Sequence, residues 1–169
     1  MSTSPNPRKS LATVLEIANL LKKNRTFVFL IDNQANDSVC GPDISELPNV
    51  VYIGPVMDRE IFASYYRSVS IFLYPSIHGC SPNVILEAMA SGLPIITEDS
   101  GGNREMIRKK SINGGVVLKK KVLCLQCRLC LRISTALSRG ALEIVENNYR
   151  METMKGRYAE LFLEISRHS

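Results

Sequence analysis

The chain has 169 residues, 45% hydrophobic and 22% charged, with a formal net charge of +5. That length suits one domain with a substantial core and is short for two; the composition is globular, which excludes disorder except at the ends. No apolar run reaches the roughly 18 residues of a membrane span, and the opening MSTSPNPRKS has no apolar signal core, so a cytoplasmic protein is expected.

The positive charge gathers at Arg108, Lys109 and Lys110 and at Lys119 to Lys121. These runs contain no Phe or Tyr and the chain has no Trp, so the aromatics that interleave with bases on single-stranded nucleic-acid surfaces are missing. A solvated face is expected, with attraction for anionic substrates or lipid head groups left open. Five cysteines is an odd count and reduced thiols are the default.

Residues 1–7 are rich in Ser, Pro and Asn and form a loose lead-in. Residues 10–23 carry Leu11, Val14, Leu15, Ala18 and Leu21 at helical spacing, with Ser10 as N-cap. TFVFLI (26–31), VVYI (50–53), SIFLY (70–74), LPIIT (93–97) and GGVVL (114–118) are short apolar runs rich in β-formers, without two-residue alternation. Such runs fit strands buried on both faces, as in a parallel sheet. DREIFASYYRS (58–68) predicts a helix capped by Asp58. Residues 122–137 predict another helix, and residues 141–165 one or two more. Strands alternating with helices give βαβ units. The expected fold is therefore α/β: a single Rossmann-like, doubly wound parallel sheet over residues 10–138, after a flexible lead-in at 1–9 and before a helical tail at 139–169. In such sheets ligands bind at the carboxyl ends of the strands.

The stretch SPNVILEAMASGLP (81–94) predicts a helix from about Pro82 to Ser91. Ser81 suits the N-cap, Pro82 the first helical position, and Gly92 with Pro94 the stop. Its start follows the strand SIFLY and the loop PSIHGC, so its free N–H groups meet the carboxyl edge of the sheet, where a phosphate can sit. Asn83, Glu87 and Ser91 fall on one side of it. That side fits the wet stripe of an amphipathic helix; it also fits a ligand-facing stripe, on which a carboxylate accepts hydrogen bonds from vicinal hydroxyls.

Cys124, Cys127 and Cys130 form C-x2-C-x2-C, but Ile133 stands where an iron–sulfur pattern has its fourth cysteine, and no nearby His or Cys completes a zinc set. These are expected to be packed thiols, with no metal bound. KKKVLCLQCRLCLRIS is also the stretch least like the family named next.

Residues 82–107, PNVILEAMASGLPIITEDSGGNREMI, resemble the signature of the retaining, nucleotide-sugar-dependent glycosyltransferases of family 4, also termed group 1, which have the GT-B architecture. The segments that match are Glu87-Ala88-Met89-Ala90, Gly92-Leu93-Pro94 and Gly101-Gly102-Asn103-Arg104-Glu105. Residues 49–76 and the tail ENNYRMETMKGRYAELF are similar to the family pattern too. The resemblance covers most of the chain and implies the donor-binding, C-terminal half of the two-domain GT-B fold. It implies that Glu87 binds the ribose of a nucleoside diphosphate sugar. The helix start at Asn83 and Val84 would bind the diphosphate through backbone N–H groups, and the loop at Gly79, Cys80 and Ser81 would approach the donor sugar. Lys9, with Arg8 beside it, would neutralise the phosphates, and the segment from Val56 to Asp58 would lie near the base. Helix dipole and lysine together would take the diphosphate charge, so no metal is implied. The chain departs from the pattern at Gly79, eight residues before Glu87, where the family usually has an acid that grips the sugar; His78 is adjacent. It also departs at Lys9, with no arginine a turn before it. The acceptor-binding half has no counterpart here, so a separate domain or partner subunit is expected, with peripheral membrane contact or self-association as further possibilities. A non-catalytic module that kept the fold is the rival expectation.

Overall fold

The structure, a computed structural model, describes residues 7–22, 28–30, 47–54, 56–75, 83–109, 112–118 and 134–167. The elements in order are α1 (Pro7–Leu21), β1 (Val28–Leu30), β2 (Val50–Tyr52), α2 (Arg59–Ser68), β3 (Phe72–Tyr74), α3 (Asn83–Ala90), β4 (Ile95–Glu98), α4 (Asn103–Ile107), β5 (Arg108–Lys109), β6 (Ile112–Asn113), β7 (Gly115–Leu118), α5 (Ser134–Asn148) and α6 (Met151–Arg167). From β2 to α4 strand and helix alternate, as the apolar runs predict.

The pairings β1–β2, β3–β4 and β4–β7 are all parallel, with Phe72 opposite Ile95 and Ile95 opposite Gly115. They form a three-stranded sheet in the order β3-β4-β7 and a separate β1-β2 pair; β5 and β6 make a small antiparallel turn-back. No ladder joins β2 to β3 among the described residues.

Both faces of the three-stranded sheet are covered, which is why its strands show no polar alternation. Ile95 points into a core with Tyr66, Ile85, Met89, Met106, Ile107, Ala141 and Ile144. Ile96, one residue on, points the other way, against Ile17 and Leu21 of α1 and Leu118. Helices α2, α3 and α5 thus contribute to one layer and α1 to the other.

Helix α1 begins at Pro7, a turn earlier than the Ser10 start expected, so Arg8 and Lys9 are helical rather than part of a lead-in. Proline suits that first position because its missing N–H would have had no partner there. Helix α5 corrects the expected break between residues 137 and 141: it runs unbroken from Ser134 to Asn148 and buries Leu137, Gly140, Ala141 and Ile144. Gly140 is a packing residue and not a terminator, since a Cβ there would collide with the carbonyl oxygen of Asn113 in β6. The first half of the expected tail therefore belongs to the core. The lead-in before Pro7 and residues 119–133, including Cys124, Cys127 and Cys130, lie outside the described residues.

Helix α6 continues after a bend at Tyr149 and Arg150 and keeps Met151, Met154, Tyr158, Leu161, Phe162, Leu163 and Ile165 exposed. Among the described residues no helix is long and apolar enough to cross a membrane.

Candidate functional site

Helix α3 is the centre of the site. It buries Ile85, Ala88 and Met89 against the sheet and α5, and leaves Asn83 and Glu87 exposed. Its end is a Schellman arrangement: the Leu93 N–H reaches the Ala88 carbonyl at 3.0 Å and the Gly92 N–H reaches that of Met89 at 3.0 Å. Gly92 carries the positive φ of 76° that this closure demands, and Pro94 follows. The stop expected at Gly92 is therefore made. The N-cap expected at Ser81, and Pro82, lie outside the described residues.

Glu87 is held from α2. The Tyr66 hydroxyl lies 3.3 Å from Glu87 Oε2 and donates to it, with the Val84 carbonyl at 3.4 Å as a second acceptor. The ring of Tyr66 is buried between two aromatic neighbours. Phe62 meets it edge-on at 4.9 Å between centroids, and Phe72 does so at 5.7 Å. Phe72 stacks in turn on Tyr74. Burial, then the charge of Glu87 and the hydrogen bond to it, push the Tyr66 hydroxyl above its ordinary ionisation range. The Tyr66 O–H therefore remains a donor throughout the neutral range. The Glu87 main-chain carbonyl accepts from Ser91 Oγ at 3.0 Å, so the stripe of Asn83, Glu87 and Ser91 is partly tied together.

Two strands end beside α4. Thr97 Oγ1 donates to the Tyr74 carbonyl at 2.9 Å, linking the carboxyl ends of β4 and β3. Fully buried Asn103, the first residue of α4, sends its amide to Thr97 Oγ1 at 3.1 Å, with the Ser100 hydroxyl at 3.4 Å. Arg104 grips Asp99 across the same turn with two donors, Nε at 3.0 Å from Oδ1 and Nη2 on Oδ2. Gly101, at φ 51°, supplies the left-handed step in this loop. The Gly101-Gly102-Asn103 segment thus folds a tight turn and pins it to two strand ends.

Asp58 caps α2 as its sequence position predicts, with Oδ1 accepting from the N–H groups of Glu60 at 2.8 Å and Ile61 at 3.0 Å. It is exposed, and Val56, just after β2, is half-buried. Arg8 and Lys9 lie in the first turn of α1. Gly79, Cys80, Ser81 and His78 lie outside the described residues. Among the described residues no three His, Cys, Asp or Glu side chains gather as a metal set.

Sequence reasoning missed Tyr66, Thr97 and Asn103. Tyr66 was legible only as one apolar position of α2, and nothing in its spacing marks a partner on α3. Asn103 sits inside the quoted Gly-Gly motif but offers no periodic signal.

The chain has clear relatives. Residues 2–125 match the family described as glycosyl transferases group 1. Over 63 residues, 37% of this chain and 16% of the relative, it is 38% identical to a GDP-mannose-dependent alpha-mannosyltransferase of Mycobacterium tuberculosis (strain CDC 1551 / Oshkosh). Among solved structures it superposes on sucrose-phosphate synthase from Thermosynechococcus elongatus with a TM-score of 0.73 at 19% identity, covering 96% of this chain and 43% of that one. The C-terminal domain of a glycosyl transferase group 1 family protein (LpcC) from Francisella tularensis gives a TM-score of 0.67 at 18% identity, covering 83% of this chain and 80% of that domain. Anabaena Alr3699/HepE in complex with UDP-glucose gives 0.65 at 18% identity over 89% of this chain and 44% of that one. The chain therefore spans a small part of the curated relative and under half of the two longer structures.

Proposed function

The chain belongs to the group 1 glycosyl transferases, and from that premise we propose that it is the donor-binding half of a retaining enzyme. That enzyme moves a sugar from a nucleoside diphosphate to an acceptor hydroxyl. The observation that carries this reading is Glu87: an exposed carboxylate on the second turn of a helix that follows a parallel strand, held from one side by a buried tyrosine.

Glu87 accepts the ribose hydroxyls, and the N–H groups at Asn83 and Val84 receive the diphosphate, where the partial positive charge of the helix start adds to hydrogen bonding. Lys9, with Arg8 beside it, neutralises the phosphates. Val56 and Asp58 face the base, and Gly79, Cys80 and Ser81 face the sugar. In transfer the bond from the anomeric carbon to the diphosphate oxygen breaks, and a bond to the acceptor oxygen forms on the same face. The helix start and Lys9 stabilise the charge that develops on the leaving diphosphate, so the chemistry needs no metal. HepE, a fold relative, is solved with UDP-glucose, which supports a nucleotide sugar as the donor.

The acceptor contacts belong to a further domain or partner subunit, so this chain alone binds nucleotide and does not transfer. We place it in the cytoplasm, where nucleoside diphosphate sugars and reduced thiols coexist. Gly79, standing where the family has a sugar-gripping acid, favours a second reading: a non-catalytic binding or assembly module that kept the fold.

Calorimetric titration with UDP, GDP, ADP and their sugars tests this, on the wild type and on Glu87→Ala. Binding of one nucleotide that weakens on losing Glu87 supports the donor-binding reading. Binding of the nucleotide without its sugar contributing affinity points to the second reading. No binding by any of them overturns donor binding.

A further inference from the structure

The Tyr66–Glu87 pair carries more than its place in the packing. Glu87 is exposed, and an exposed carboxylate with several rotatable bonds is a poor recognition element until something orders it. Tyr66 is the opposite: its ring is buried and wedged edge-on by Phe62 and Phe72, so the direction of its O–H is set by the core. The two meet at Oε2 alone. An ionised carboxylate has about four acceptor positions on its two oxygens, and this contact uses one of them.

We propose that Tyr66 is a positioning residue for nucleotide recognition: by holding Glu87 Oε2 it aims Oε1 outward as the acceptor for the ribose hydroxyls, so selection of a ribose diol depends on the pair. This rests on the donor-binding reading above. Tyr66→Phe would keep the ring contacts with Phe62 and Phe72 and remove the hydroxyl's contacts with Glu87 Oε2 and the Val84 carbonyl. The buried hydroxyl, held in its protonated form by burial and by Glu87, is suited to that task because it stays a donor across the working pH range.

The test uses the full chain and measures affinities for UDP, GDP and ADP, each beside its 2′,3′-dideoxy counterpart, in wild type, Tyr66→Phe, Glu87→Ala and the double variant. Wild type should prefer a ribose nucleotide. Tyr66→Phe should weaken that nucleotide by about 3- to 10-fold, the loss of one hydrogen bond's net contribution, and leave its dideoxy counterpart unchanged. In the Glu87→Ala background Tyr66→Phe should add nothing. If Glu87→Ala abolishes the ribose preference and Tyr66→Phe keeps it, the positioning role is overturned and the donor-binding reading stands. An equal loss for ribose and dideoxy nucleotides also overturns it, since the hydroxyl would then be structural. Wild type that binds both alike, or binds neither, overturns the role of Glu87 and the proposal together.

Discussion

Gly140 of α5 lies against the carbonyl oxygen of Asn113 in β6 so closely that no Cβ fits between them. Beside it a Cβ on Gly114 would come within 2.8 Å of the Ala141 Cα. Helix and strand backbones touch directly here, which joins the carboxyl third of the chain to the sheet.

Gly140→Ala should therefore destabilise the fold even though alanine is the better helix former. The overpacking cost is about 1–3 kcal/mol, larger than the roughly 1 kcal/mol of helix propensity gained. Gly156→Ala is the contrast. That site in α6 has nothing within 4 Å, so the substitution should stabilise by about 0.5–1 kcal/mol. Thermal unfolding of the two variants should move in opposite directions.

Asp58→Ala removes the acceptor for two N–H groups at the start of α2 and should cost about 1 kcal/mol, while Asp58→Asn should stay within a few tenths of wild type. Urea unfolding midpoints distinguish the two.

Asn103→Ala strips the Thr97 and Ser100 oxygens of a buried donor, and should cost about 1–3 kcal/mol in chemical unfolding. Asn103→Asp should be worse, because it buries a carboxylate whose neighbours include the Glu98 carbonyl.

Tyr66 makes stability pH-dependent on the alkaline side. Its hydroxyl ionises at a higher pH in the folded chain than in the unfolded one, where tyrosine titrates at about 10. Its contribution is fully present below that unfolded value and is lost as pH rises through the folded one. Wild type should thus lose stability above about pH 10 by more than Tyr66→Phe does, and the two should run parallel below it. Unfolding curves collected at stepped pH check this.

Much of the architecture was legible because burial on both faces leaves a plain mark: runs such as VVYI and LPIIT without polar alternation. Caps were legible too, at Asp58 and Gly92, since each satisfies a local backbone demand. Glu87 stood out as the one acid in an apolar helix. What the sequence hid is long-range. Tyr66 finds Glu87 across 21 residues, and Asn103 finds Thr97 by the shape of a loop, and neither contact follows any period. The role of Gly140 is hidden for a related reason. A glycine that ends a helix and a glycine that lets a helix approach a strand are the same letter, and only the strand tells them apart.

The packing of α1 has a consequence for how the protein is made. Its apolar side rests on Ile96 and Leu118, and Leu118 is translated roughly 100 residues after Ile17; at about 5–20 residues per second the ribosome takes on the order of 5–20 s to supply it. For that interval the side of the first helix that carries Ile17 and Leu21 lacks part of its native surface, although Leu47 and Val50, which pack with Leu15 and Ala18, have already emerged. Its apolar side is then a natural target for chaperones that hold nascent chains, and the upper layer of the sheet closes only after β7 has emerged.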